Sequence, residues 1–300
     1  MDKHYNNIKE LFINNEINRK VKNYSINRND LMTYYNVGKE IFDAQGGESR
    51  AKYGDNLIKE YSKKLLIDLN KNYSTTTLKR MRQFYLIIQK GAPLVHQLSW
   101  THYIQFLSIK NINEINYYIN ISISQNLSKR ELRERIKSKE YERLDNETKN
   151  KLIENKETNV SDFIKNPIVI KNSLGHKNIN EKELKRLIIE NMDSFLKELG
   201  LGFTYVGNEY KIKIDSTYNY IDILLYNYIY KCFVVVELKV VPLKAEHVGQ
   251  ITKYINYIDK NIKTVDDNNT IGIILSERNN RIVLEYCSDS RIFFKEFVLL

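Results

Sequence analysis

At 300 residues, 42% hydrophobic and 28% charged, the chain has room for two domains with a core each, and its composition excludes a disordered tail or a membrane bundle. Its formal charge of +10 is uneven, since residues 1–160 hold 28 basic and 19 acidic side chains while residues 161–300 hold 19 and 18; such a basic half suits a polyanion partner, although a lysine-rich solvated surface accounts for it equally well. Two cysteines, Cys232 and Cys287, exclude a disulfide framework or a cysteine metal centre, and the absence of an apolar signal core or a run of about 18 apolar residues leads us to expect a cytoplasmic protein with no membrane segment.

Residues 1–145 read as a mainly α-helical domain. In "NDLMTYYNVGKEIFDAQ" the positions Leu31, Tyr34, Tyr35, Val37, Gly38 and Ile41 recur near helical spacing, with Asn29 or Asp30 as the expected cap. "DNLIKEYSKKLLIDLNK" continues the pattern through Leu57, Ile58, Tyr61, Leu65 and Leu69. "YSTTTLKRMRQFYLII" opens on a Ser/Thr capping cluster and would turn Leu78, Met81, Phe84 and Tyr85 to a core, leaving Lys79, Arg80 and Arg82 on a flank. A capped basic helix after a short turn is what a helix-turn-helix offers to a DNA groove, and it is equally the form of an ordinary solvated helix. Trp100 and His102 are expected to anchor the helical core, and "SKRELRERIKSKEYERL" reads as a solvated helix capped by Ser128.

Residues 146–180 turn polar and read as a linker region containing some helix. Helical periodicity resumes in "ELKRLIIENMDSFLKELG", with Gly200 as its stop. The texture then becomes β in "FTYVGNEYKIKI", "YNYIDILLYN" and "KCFVVVELKVV", continues with the helix "KAEHVGQITKYINYIDKNI", and returns to strand in "TIGIILSE" and "RIVLEYCS". Residues 181–300 are therefore expected to form an α/β domain with a mixed sheet flanked by helices.

Three charges interrupt the most apolar strands. Glu237 and Lys239 are two apart and share a face, and a hairpin return would bring Asp222 of the preceding strand beside Glu237. Two neighbouring carboxylates in an apolar setting repel unless a cation lies between them, and a hard divalent ion such as Mg²⁺, or Mn²⁺ in its place, accepts such a donor set. With Lys239 beside a water, that is the equipment of phosphodiester hydrolysis. The open alternative is an i,i+2 ion pair on a solvated sheet face with Asp222 in a turn.

"YIDILLY", "VVVELK" and "GQITKYINY", preceded by "LIIENMDSFLKELGLGFTYVGNEYKI", resemble the PD-(D/E)xK nuclease superfamily and, within it, the YhcG-type branch; "STTTLKRMRQFY", "LSWTHYIQFL" and "SKRELRERI" resemble that branch's N-terminal domain. The resemblance implies a restriction-endonuclease-like fold, a site made of Asp222, Glu237, Lys239, Gln250 and Glu190, and a helical domain that binds DNA; the residues themselves lead us to expect Asp222 and Glu237 as the metal ligands and Lys79, Arg80 and Arg82 as the nucleic-acid contacts. Ile221-Asp222 replaces the superfamily's Pro-Asp, and Asn126-Leu127 stands where the branch usually carries Gly-Trp. The expected activity is Mg²⁺-dependent cleavage of DNA, with RNA as a weaker candidate substrate and a homodimer as a plausible state. The competing function is a non-cleaving nucleic-acid-binding or complex-forming protein that uses the nuclease fold as a scaffold. From the residues alone, Glu190 reads as a solvated mid-helix acid, Gln250 with Tyr254 and Tyr257 as a helix face packed on the sheet, and His247 as a surface histidine.

Overall fold

A computed structural model describes residues 3–21, 26–47, 54–175, 178–277 and 289–300. The helical spacing at the start of the chain becomes α1 (Lys3–Val21), α2 (Ile26–Ala44), α3 (Gly54–Leu69), α4 (Thr75–Gln89), α5 (Trp100–Phe106), α6 (Ile112–Ser124) and α7 (Lys129–Lys137). These lie in one compact unit, Met1–Tyr141. Tyr5, Ile8 and Phe12 of α1, Val37 and Ile41 of α2, Ile58, Tyr61 and Leu65 of α3, and Leu78 and Met81 of α4 bury one another. Gly38 lets α2 and α4 approach closely, because a Cβ there would run into the Met81 carbonyl.

Ser74 caps α4 by accepting from the Thr77 N–H at 3.1 Å. Ser128 caps α7 in a reciprocal box with Glu131. Asn29 and Asp30, expected at a helix start, lie inside α2, where Asp30 accepts from Asn15 of α1 at 3.0 Å and Asn29 bonds the same residue. Cross-helix pairing, unreadable from local sequence, explains these polar residues. Asn126 occupies the left-handed region at φ 49, which asparagine tolerates better than most residues, so it meets the backbone requirement that a glycine would meet.

The second unit, Glu142–Leu300, contains α8 (Asn146–Ile153), a 3₁₀ turn at Val160–Phe163, β1 (Ile168–Ile170), α9 (Glu181–Glu190), α10 (Met192–Leu199), β2 (Phe203–Ile214), β3 (Thr217–Asn227), β4 (Cys232–Lys239), α11 (Ala245–Asn261), β5 (Ile271–Ser276) and β6 (Ile292–Leu299). The sheet order is β1-β6-β5-β4-β3-β2. β2 pairs with β3 and β3 with β4 in antiparallel fashion, whereas β4–β5, β5–β6 and β6–β1 pair in parallel. This is the expected mixed sheet flanked by helices. Val234, Val236 and Leu238 of β4 join the core made with α9 and α10, while Val235 joins the core under α11, as a period of two requires.

Several elements differ from the sequence reading. The helix read across 183–199 breaks at Asn191, whose side chain donates to the Leu187 carbonyl at 3.1 Å and ends α9; Gly200, at φ 112, closes α10 as expected. The stretch 146–180, read as a linker, belongs to the second unit: β1 pairs with β6, Arg143 grips Glu198, and the Glu198 carboxylate accepts from the Val169 N–H at 2.9 Å. A three-residue strand is too short to show periodicity, which hides it in the sequence. β6 has no counterpart in the sequence reading, and the strand read in "RIVLEYCS", with Cys287, lies outside the described residues. No helix among the described residues is long and apolar enough to cross a membrane.

Candidate active site

The apolar, β-branched composition of β3 and β4 places them in mid-sheet, where a charged side chain is anomalous. Their ladder runs from Asn227 opposite Cys232 to Ile223 opposite Val236. One step further, Asp222 stands level with Glu237. There the Asp222 carboxylate accepts the Leu238 N–H at 3.0 Å, so a side chain takes over at the end of the main-chain ladder. The two strands thus fork where their acids meet.

Glu237 is 2% exposed and Lys239 8%. The Lys239 ammonium donates to Glu237 Oε1 at 2.9 Å, while Glu237 Oε2 is buried with no hydrogen-bond partner. Burial first, and then the charge of Asp222, push the Glu237 carboxyl up to about 7; Lys239 works in the opposite direction. Burial would by itself lower the Lys239 ammonium, but Glu237, Glu181 and Asp222 hold it above the ordinary lysine value. This pair is buried and part of a larger charge group, so the solvated i,i+2 bridge does not describe it.

α9 supplies two further groups. Glu181, in its first turn, lies 3.8 Å from the Lys239 ammonium. Lys185, one turn on, sits 2.7 Å from Asp222 and 3.3 Å from Glu209 of β2; burial opposes its charge, and these two carboxylates raise its pKa overall. Glu190, the acid expected from this helix, is exposed and lies 3.7 Å from Arg186. It is nine residues from Glu181, which is about 13 Å and two and a half turns along a helix, and so occupies the far end and opposite face. The structure brings Glu181, not Glu190, to the cluster. Its signal in sequence was faint, an acid one residue after the capping Asn180.

α11 closes the other side. Gln250 donates to the Tyr254 hydroxyl at 3.0 Å. Tyr254 is raised by burial first and then, against the Gln250 bond, by the charges of Glu237 and Asp222, which places it within the field of the cluster. His247, expected at the surface, is buried at 7% exposure; it accepts the Lys244 N–H through Nδ1, and burial and the Lys239 charge both depress its pKa. Its place in the first turn of a helix packed on the sheet buries it.

In the helical unit, Lys79 and Arg80 of α4 are exposed. Arg82 is half-buried instead, its guanidinium 5.7 Å from the centroid of the Phe42 ring and its Nε buried without a hydrogen-bond partner. The pattern of α4 therefore presents two of the three expected cations to solvent.

Comparison with known proteins matches the two parts of the chain to two family models. Residues 161–297 match the family model of the YhcG PDDEXK nuclease domain, and residues 11–143 match the DUF1016 N-terminal domain. The Escherichia coli (strain K12) protein described as "Putative nuclease YhcG" is 27% identical over 290 residues, covering 84% of this chain and 77% of that protein. Among solved structures, a repair endonuclease from Pyrococcus abyssi is 20% identical, over 40% of this chain and 48% of that one, with a TM-score of 0.29. A complex of EndoMS with dsDNA is 19% identical, over 43% and 48%, also with a TM-score of 0.29. The chain spans about half the length of those solved structures.

Proposed function

The chain belongs to the YhcG family, with a PDDEXK nuclease domain preceded by a DUF1016 N-terminal domain, and from that membership we propose that it hydrolyses phosphodiester bonds of DNA with the help of a divalent cation. The observation that carries the reading is the buried, unpartnered Oε2 of Glu237 beside a second carboxylate, Asp222. Four carboxylates, from Glu181, Glu209, Asp222 and Glu237, gather around the two ammonium groups of Lys185 and Lys239. Two neighbouring carboxylates with one oxygen orphaned are hard donors of the kind that Mg²⁺, or Mn²⁺ in its place, accepts, and Asp222 and Glu237 would hold it, with waters and phosphate oxygens completing its shell. When bound, the cation supplies Lewis-acid polarisation of the phosphate and a more acidic water.

The protein's own groups do the rest. Lys239, kept charged by its acidic neighbours, orients the attacking water and offsets the negative charge that grows on the phosphate. Glu181, 3.8 Å from the Lys239 ammonium, helps to hold it in place. Gln250 and Tyr254 form a hydrogen-bonded pair that aligns the strand's backbone at the mouth of the site. In the helical domain the exposed Lys79 and Arg80 contribute phosphate contacts that hold DNA without reading its sequence.

A second reading, a scaffold that binds without cutting, is favoured by one feature: Lys185 already occupies Asp222 at 2.7 Å. Cleavage of supercoiled plasmid and of branched DNA, with RNA in parallel, separates the two. Mg²⁺-dependent nicking by the wild type that disappears in Asp222→Ala and Lys239→Ala supports the nuclease. Binding by all three proteins with cleavage by none establishes the scaffold.

A further inference from the structure

The hairpin that carries Asp222 also bears a face that the proposed chemistry leaves unused. β2 and β3 pair with Lys213 opposite Tyr218 and Lys211 opposite Tyr220. Directly opposed residues share a face of the sheet, and so do residues two apart on one strand. These four side chains therefore form one surface, on which Tyr218 and Tyr220 are one step of about 7 Å apart.

Tyr218 is 53% exposed and Tyr220 52%, and Lys211 and Lys213 are exposed beside them. The other face of the same ribbon is firmly packed, with Ile212 and Ile221 buried in the core under α11. The two rings are thus displayed on a rigid ribbon and are not a loosely covered piece of core. The Lys211 ammonium lies 3.9 Å from the centroid of the Tyr218 ring and that of Lys213 lies 5.9 Å from it. Where the face reaches the site, the acid Glu209 is tied to Lys185.

We propose that this face is a stacking platform for unpaired nucleotides of the DNA strand that enters the site, with bases on Tyr218 and Tyr220 and neighbouring phosphates on Lys211 and Lys213. The proposal rests on the nuclease reading and narrows it to DNA carrying a single-stranded segment next to the cleaved bond, such as an overhang or a branch. Three features select that partner. Duplex DNA hides its base faces, so exposed rings find nothing to stack on unless the bases are unpaired. A step of about 7 Å is roughly twice the 3.4 Å rise of stacked bases along a strand, which suits nucleotides pulled apart. The flanking charges are both positive, complementary to the phosphates between such bases.

Fluorescence anisotropy with the full-length protein in EDTA tests this, using a labelled oligodeoxythymidine and a blunt duplex of matched length as probes. Removing both rings in Tyr218→Ala/Tyr220→Ala should weaken single-strand binding by about tenfold or more, in line with the contribution of base–aromatic stacking, while duplex binding changes by less than about twofold. Tyr218→Phe/Tyr220→Phe should retain single-strand binding, because the ring and not the hydroxyl carries it. A single-strand affinity that is unchanged in the Ala variant, that falls equally for the duplex, or that is undetectable in the wild type overturns the platform. Each of those results leaves the nuclease reading standing, since that is decided by Mg²⁺-dependent cleavage and its loss in Asp222→Ala.

Discussion

Replacing Glu237 with glutamine should stabilise the second unit relative to wild type as pH rises, even as it removes a metal ligand. The wild-type carboxyl is pushed from an ordinary 4.5 to about 7 by burial and by Asp222. The native state therefore keeps the Glu237 proton to a higher pH than the unfolded chain does, and stability falls as pH rises through that window. Fully developed, the penalty is about 3 kcal/mol. Glutamine carries no such penalty, but its amide N–H₂ would replace the orphaned Oε2 and remain unsatisfied, at a pH-independent cost of about 1–3 kcal/mol. That constant cancels when two pH values are compared. Between about pH 5 and about pH 8 the stability of Glu237→Gln relative to wild type should improve by about 2 kcal/mol. Urea unfolding in EDTA, followed by the transition that loses the β-sheet signal, measures it, and Mg²⁺ should narrow the gap at high pH by stabilising the carboxylate. A difference between the two proteins that is flat from pH 5 to 8, or that shrinks with pH, would refute the claim that Glu237 is held as a strained buried acid.

Lys185→Gln frees Asp222 from its ammonium neighbour and should lower the Mg²⁺ concentration for half-maximal plasmid nicking by about threefold, the scale of a partly exposed ion pair; an unchanged or higher requirement means that Lys185 does not compete with the cation. Glu181→Gln removes a carboxylate that holds Lys239 and should slow cleavage by about tenfold, whereas Glu190→Gln should leave the rate within about twofold, and single-turnover assays of both variants would expose a reversal. Gly38→Ala gains helix propensity but drives a methyl into the Met81 carbonyl, so thermal unfolding should show a net loss of about 2 kcal/mol in the helical unit. A raised melting temperature would show that α2 and α4 are not in close contact there.

Wherever a local pattern is the cause of the structure, the sequence alone determined it. The period of 3.6 in the first half, the capping residues Ser74 and Ser128, the alternation in "VVVELK" and the stop at Gly200 each act within a few residues, so α4, α7, β4 and the end of α10 were legible. So was the pairing of Asp222 with Glu237, because a hairpin return carries one residue opposite another by counting. Tertiary structure alone decided which acid of α9 joins them, because Glu181 and Glu190 look alike in a one-dimensional reading and only the docking of the helix against the strand ends selects the first. It also decided that Lys185 would lie on Asp222, that Arg82 would fold over Phe42 and that His247 would be buried. The short β1 belongs to the same class, since a strand of three residues is defined by the neighbour it bonds and not by any periodicity of its own. Local preferences set what each segment can be, and the free energy of burying charges and apolar faces against distant segments sets which side chains meet.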